Sequence, residues 1–408
     1  MRNARAYYNA LVVLLTVSFM SQCEGADFVY SEPIEKVAFG SCSNQDKEQP
    51  LWSHIARWDP DFFLWLGDAV YTDSRQYQFL WVPPSISRYS EQLHKMKYSP
   101  DYSSFQKRRT RIIGVWDDHD YGVNDGGMSD ENYSEAVQGM FLHFLDEPED
   151  SPRWKRKGLY ASYLLGDSTH KSVKLILIDP RSQLNKTGST VLGEQQWEWL
   201  AKELESDPTP ITILATGLPL LTERNLLDKW LRYPVERERL LALISKRPGL
   251  LVLSGDSHFA EMQCVNTTRG PIFEVMSSGM THNCLDWLPQ WLCNYFIKYV
   301  SYCKGCISEP YTELNFGTIS FIWSEDDDPK VVMEVRGESG VAIHYVVKVE
   351  KVPTESCPER HEVKFQLAWW VCSLVFITVV LVYVIMVLPM FVVNLFKSRS
   401  GTPHPHRD

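Results

Sequence analysis

The sequence predicts a mixed α/β protein, and three observations predict it. Short apolar runs rich in branched and aromatic residues recur at 37–40, 62–66, 112–116, 173–178, 211–215 and 250–253, each short enough for a buried strand. Helical segments fill the gaps between them; within 193–206, Trp197, Leu200 and Leu204 share one helical face and charges occupy the other. Near the end the rhythm changes to the strands 316–323, 330–335 and 341–349 with no helices between them. A mixed core whose sheet doubles into a sandwich follows, with a β-rich C-terminal section and no internal repeat.

Composition bounds the function. The chain has 408 residues, 44% of them hydrophobic and 23% charged, a balance that a disordered or fibrous chain does not show. Its net charge of −10 excludes a phosphate-backbone binder, which needs concentrated Lys and Arg, so no nucleic-acid partner is expected.

Two apolar segments set the compartment. Residues 10–20 follow Arg2 and Arg5 and precede the small Cys23 and Gly25, which predicts a signal peptide over 1–25. Residues 367–388 carry no charged side chain, enough at about 1.5 Å per residue to cross a hydrocarbon core of about 30 Å. Trp369 and Trp370 fit an outer aromatic belt, and Lys397, Arg399 and Arg407 fit a cytoplasmic tail. A buried core helix of that length would normally carry a polar face. The predicted organisation is an ectodomain over 26–350, a stalk over 351–366, a transmembrane helix over 367–396 and a short tail over 397–408. This is a single-pass type I protein of the plasma membrane or a secretory-pathway membrane, its main domain extracellular or lumenal.

That compartment is oxidising, so cysteines are expected to pair. Setting aside Cys23 in the signal and Cys372 in the span leaves Cys42, Cys264, Cys284, Cys293, Cys303, Cys306 and Cys357, an odd set. Cys42 stands apart from the rest, and the other six form three disulfides if it is free, in a connectivity the sequence leaves open. Sequons at Asn132, Asn185 and Asn266 are glycan candidates.

Four of the strands end in polar clusters. Residues 37–40 run into Ser41-Cys42-Ser43-Asn44, and 62–66 run through Gly67 into Asp68-Ala69-Val70-Tyr71. Residues 112–116 run into Asp117-Asp118-His119-Asp120, and 250–253 run through Ser254 and Gly255 into Asp256-Ser257-His258. Carboxyl ends of strands in α/β sheets open onto one crevice, so these groups can converge into a metal-binding set. A thiolate and a phenolate together suit a trivalent, redox-competent ion such as iron, whereas carboxylates such as Asp118 suit calcium, magnesium or manganese. Two neighbouring cations can lower the pKa of a shared water and neutralise charge growing on phosphoryl oxygens.

Taken in order, Gly40-Ser41-Cys42, Gly67-Asp68-Ala69-Val70-Tyr71, Trp116-Asp117-Asp118-His119-Asp120 and Gly255-Asp256-Ser257-His258 resemble the PhoD-like alkaline phosphatases of the metallophosphatase superfamily. The resemblance implies a four-layered α/β/β/α sandwich and phosphoester hydrolysis with ferric iron and calcium, other divalent metals being compatible. Cys42 stands where ordinary metallophosphatases begin with Asp-x-His, as in the PhoD-like branch, and Tyr71 stands where most relatives have a carboxylate or Asn. Carried over by position, Cys42, Asp68, Tyr71 and His258 become iron ligands, with Asp68 bridging to a calcium side completed by Asp118 and Asp256. His119 falls at the proton donor, Asp120 is expected to orient it, and Arg181, in Asp179-Pro180-Arg181-Ser182, is expected to hold phosphate oxygens. One departure is that Thr216-Gly217-Leu218-Pro219 offers no His where relatives place a metal ligand.

Each motif also has a plain structural use. Cys42 suits a buried free thiol, Asp118-His119-Asp120 an Asx turn, Tyr71 a core tyrosine and Arg181 a salt bridge. Within 284–306, Trp287, Trp291, Tyr295 and Tyr299 predict an amphipathic helix that packs on the main domain with disulfide support, or else forms a lid or membrane-contacting surface. Cys303-Lys304-Gly305-Cys306 also fits a redox or zinc pair. The expected function is a membrane-anchored, metal-dependent phosphoester hydrolase acting on small-molecule or lipid-like substrates; the alternative is an inactive membrane-tethered binding protein that keeps the fold.

Overall fold

The computed structural model describes residues 26–350 apart from 78–79, 129–130, 167–170, 187–189, 207–208, 225–227, 285–288, 302, 304 and 325–327, together with 356–358, 374, 376–378, 380–381 and 384. The expected signal peptide and tail, and most of the stalk and span, lie outside the described residues. Among the described residues no helix is long and apolar enough to cross a membrane. The chain divides into a unit over Met1–Glu359 and a second over Arg360–Asp408. In the second unit the described residues are helical, with the Thr378 hydroxyl donating to the Leu374 carbonyl at 2.7 Å.

In chain order the first unit contains β1 (Phe28–Tyr30), β2 (Lys36–Gly40), α1 (Leu51–Trp58), β3 (Phe62–Leu66), β4 (Ser74–Tyr77), β5 (Leu80–Val82), α2 (Ile86–Lys97), α3 (Pro100–Gln106), β6 (Arg111–Val115), α4 (Asp118–Tyr121) and α5 (Glu131–Phe144). There follow β7 (Ala161–Gly166), β8 (Ser172–Leu177), α6 (Glu194–Glu205), β9 (Ile211–Thr216), α7 (Pro234–Ile244), β10 (Leu250–Ser254), β11 (Ala260–Thr267), β12 (Gly270–Ser277), α8 (Gln290–Tyr295), β13 (Phe316–Ile322), β14 (Lys330–Gly337) and β15 (Gly340–Lys348). One sheet runs β1-β7-β8-β9-β10-β12-β11 and the other β15-β14-β13-β2-β3-β6, with β4-β5 a separate hairpin.

Alternation along the strands builds the layers. On β8, β9 and β10, Leu175, Leu177, Ile213, Ala215, Leu251 and Leu253 point into a core shared with Val37, Ile319, Met333 and Val335 of the second sheet. Their neighbours Ile176, Leu214 and Val252 point the other way, against Trp197, Leu200 and Leu204 of α6 and Leu240 and Ile244 of α7. The outer face of the second sheet is covered by aromatic packing: Phe63 and Trp65 of β3 meet Trp52 of α1 and Phe63 meets Phe105 of α3, ring centroids 5.0, 5.3 and 5.7 Å apart. Truncating a buried ring such as Trp52 to Ala should cost about 3–5 kcal/mol. The two helix-covered sheets packed face to face agree with the expected sandwich.

All the predicted strands form, within a residue or two of their expected ends. Strands β7, β11 and β12 lie where helices were expected to fill the gaps. In β11 and β12 the apolar pattern is broken by Glu261, Gln263 and Glu274, all buried. Their charges are met by tertiary partners: Glu261 pairs with Arg224 at 2.8 Å, and Glu274 accepts the N–H groups of Leu220 and Leu221 at 2.8 and 2.6 Å.

The cysteines pair as Cys264–Cys357, Cys284–Cys293 and Cys303–Cys306, and Cys42 is free and buried. The Cys303-x-x-Cys306 pair is a disulfide in this structure. In the 284–306 region α8 is short and continues as a π-helical turn over Phe296–Val300. Cys293 and Ile297 provide its buried face, against Phe259, Met276 and Cys284, while Trp291 is 65% exposed. Packing with disulfide support holds as expected, but at Trp291 the aromatic stripe faces outward.

Candidate metal centre

Five strand ends build the site: those of β2, β3, β6, β10 and β12. Backbone hydrogen bonds stitch the turns that follow them, with Ser43 N–H donating to the Asp68 carbonyl at 2.8 Å, Gly67 N–H to Val115 at 2.9 Å, and Thr281 N–H to Cys42 at 3.3 Å. Cys42, Asp68, Asp256 and His258 hold positive φ angles of 59°, 49°, 67° and 59°, a left-handed conformation that costs non-glycine residues energy and recurs at functional sites.

The expected ligands converge. Cys42 Sγ and the Tyr71 hydroxyl each lie 3.4 Å from Asp68 Oδ2, and the same hydroxyl lies 3.3 Å from His258 Nε2. Potential ligand atoms fall within 4.8 Å of one another in three overlapping sets: Cys42, Asp68 and His258; Asp68, Asp118 and His119; and Asp117, Asp118 and Asp256. Asp68 joins the first set to the second, and Asp118 joins the second to the third. Cys42, Asp68, Tyr71, Asp118 and His119 are buried, whereas Asp256 and His258 are half-buried.

Electrostatics and hydrogen bonding both bear on how this set would meet a cation. Burial, reinforced by Asp68 and Asp256, pushes the Cys42 thiol well above its usual pKa, and burial with Asp118 does the same to Asp68. Asp68 Oδ1 and Asp117 Oδ2 are buried without any hydrogen-bond partner. Orphaned carboxylate oxygens among converging acids are costly unless a positive charge meets them, so the residues present fit a metal group.

The glycine in Thr216-Gly217-Leu218-Pro219 is also explained. A Cβ on Gly217 would lie 2.6 Å from the Asp117 Cγ, and one on Gly67 would lie 2.3 Å from the Asp117 Cβ. The Asp117 carboxylate thus fills the space next to the end of β9 where the resemblance leads one to expect a His.

Two expected roles change. His119 Nδ1 is held by Asp73, at 2.9 and 3.0 Å from its two oxygens, and not by Asp120. Asp120 instead accepts the N–H groups of Val70 at 2.8 Å and Asp117 at 3.1 Å, which fixes the turns that carry the ligands. Burial, reinforced by the Asp117 charge, lifts the Asp120 carboxyl to about 8, against hydrogen bonds from the N–H groups of Asp117, Val70 and Ala69. Burial disfavours a charged His119, but Asp118, Asp68 and Asp73 outweigh it and raise its pKa well above the usual value. Arg181 is fully buried, donating from Nε to Asp117 and from Nη1 to Asp228 at 2.7 Å. Its guanidinium meets the acidic cluster through Nε and Nη1, while Nη2 is buried without a hydrogen-bond partner.

Asp73, Asp117, Asp228, Ser278 and His282 escape the sequence reading. Asp73 lies two residues beyond the Gly67–Tyr71 motif and Asp117 inside another, so proximity in sequence signals both. Ser278 and His282 follow β12, an unrecognised strand, and no local signal marks them. His282 Nε2 lies 3.0 Å from the Tyr71 hydroxyl, and burial beside His258 keeps its pKa well below the usual value.

A family model for PhoD-like phosphatase matches residues 167–286, which include Arg181, Asp256, His258 and His282. No curated protein matches the chain. Among solved structures, one described as "Structure of PhoD" is similar with a TM-score of 0.59 at 16% identity, covering 82% of this chain and 74% of that one. Another, "GAP50 the anchor in the inner membrane complex of Plasmodium", gives a TM-score of 0.46 at 10% identity, covering 78% of this chain and 90% of that one. The likeness to the first is one of fold. Over residues 167–286 the chain is thus similar to the PhoD-like phosphatases, and its fold is similar to that of the first solved structure.

Proposed function

We propose that this protein hydrolyses phosphomonoesters and diesters through metal-activated water, on the extracellular or lumenal side of a membrane to which the apolar run 367–388 anchors it. The observation that carries the reading is the convergence of Cys42, Asp68, Tyr71, Asp118, Asp256 and His258 around carboxylate oxygens that have no partner. The three disulfides support an oxidising compartment.

In this reading Cys42, Asp68, Tyr71 and His258 would hold iron, and Asp68, Asp118 and Asp256 would hold calcium or another divalent ion. When bound, these metals supply Lewis acidity and a water of lowered pKa. The chain's own residues do the rest. Asp68 would serve both positions, since it belongs to two of the ligand sets. His119, held at Nδ1 by Asp73, delivers a proton from Nε2 to the departing alkoxide. Arg181 holds Asp117 in place beside Asp118 and limits the repulsion among the acids.

The test is elemental analysis of the purified full chain, with turnover of an aryl phosphate and an aryl diester, alongside His119→Ala and Asp68→Ala. Bound iron with turnover that both variants abolish supports the hydrolase. A metal-free and inactive protein would instead favour the binding-protein alternative. Protease protection of tagged chain in sealed vesicles tests the anchored orientation.

A further inference from the structure

The turn after β12 touches three of the four proposed ligands on the thiolate side, Cys42, Tyr71 and His258. Ser278 Oγ lies 2.9 Å from Cys42 Sγ and accepts the His258 N–H at 3.0 Å. The Thr281 hydroxyl donates to the Cys42 carbonyl at 3.2 Å, and His282 Nε2 meets the Tyr71 hydroxyl at 3.0 Å. Cys284 N–H donates to the His258 carbonyl at 2.8 Å, and the Cys284 carbonyl faces His258 Nδ1 at 3.1 Å. That last contact selects the tautomer with its proton on Nδ1, which leaves Nε2 for a cation.

The turn is not held by hydrogen bonds alone. Cys284 carries a φ of 56°, a conformation that must be imposed on a residue with a Cβ. Its side chain is tied to Cys293 in α8, and both sulfurs pack against Phe259, Met276 and Ile297. The other two disulfides attach elsewhere: Cys264 is in β11, and Cys306 pairs with Gln263 of the same strand. Both are thus anchored at β11 and not in the 278–284 turn.

We propose that the 278–284 turn is the positioning element of the thiolate-side metal position and that the Cys284–Cys293 disulfide is its clamp, which sets how firmly the protein keeps that metal. The proposal rests on the metal reading above and goes beyond it by assigning retention of one metal to a disulfide outside the ligand set.

The test uses the full chain loaded with iron and calcium. Iron released into a chelator is followed by elemental analysis and by the absorbance of the thiolate-bound ion, with thermal unfolding recorded in parallel. Cys284→Ser/Cys293→Ser should release iron about tenfold faster or more and shift the absorbance band, the usual scale for losing a group that orients a metal ligand. Cys303→Ser/Cys306→Ser should match the parent. A folded Cys284→Ser/Cys293→Ser chain with the parent's release rate and band overturns the proposal. If that variant does not fold, Ser278→Ala decides: faster release with an unchanged melting point supports the proposal, and unchanged release overturns it. A parent that takes up no iron overturns the metal reading and the clamp together, whereas an iron-binding parent indifferent to these changes overturns the clamp alone.

Discussion

Asp73 and His119 are 46 positions apart, yet both oxygens of Asp73 lie within 3.0 Å of His119 Nδ1. That pair, and not the adjacent Asp120, orients the imidazole. His119→Ala should lower kcat on an aryl phosphate by about 10²- to 10⁴-fold, the range for loss of a general acid. Asp73→Asn should lower kcat less, with KM little changed. Asp120→Ala should act mainly on stability, costing about 1–3 kcal/mol by stranding two buried N–H groups. Steady-state kinetics and denaturant unfolding on the three variants separate these roles.

The overlapping ligand sets predict separable metal losses. Cys42→Ser should deplete iron and abolish the thiolate absorbance while leaving calcium. Asp118→Ala should deplete calcium and spare most of the iron. Because Asp68 joins the two sets, Asp68→Ala should deplete both. Elemental analysis after dialysis checks all three, and retention of both metals by Asp68→Ala would contradict a shared carboxylate.

Arg181 bridges two buried acids, Asp117 and Asp228. Arg181→Met leaves both without their counter-charge and should destabilise the fold by about 3–5 kcal/mol, as is usual when one partner of a buried ion pair is removed. A side chain whose main role was to grip substrate would instead raise KM and leave the unfolding midpoint near the parent's.

Glu334 on β14 accepts from Arg336 Nε at 3.0 Å and lies 2.9 Å from His344 Nδ1. Partial burial works against its ionisation, but His344 and Arg336 outweigh it and lower its pKa. A carboxyl whose folded pKa is depressed contributes stability above its unfolded value, near 4.3, and loses that contribution as pH falls through the folded value. Glu334→Gln should therefore reduce stability at neutral pH and flatten the acid limb of the stability curve below about pH 4. Unfolding midpoints across an acid series test the sign.

Much of the site was legible because strand ends are local features. Cys42, Asp68, Tyr71, Asp118, Asp256 and His258 each follow an apolar run within a few residues, so a strand-by-strand reading locates them. Ser278 and His282 follow a strand disguised by Glu274, whose charge is satisfied by the amides of Leu220 and Leu221, more than fifty positions earlier.

By itself the sequence determined the alternation of strands and helices, the separateness of Cys42 and the identity of the polar clusters, since hydrophobic period and residue chemistry are written along the chain. Only the tertiary structure decided which carboxylate holds His119, that Arg181 faces inward, and that one disulfide lies behind His258. Those outcomes depend on which turns meet in space, and backbone packing sets that between residues too far apart for local pattern to connect.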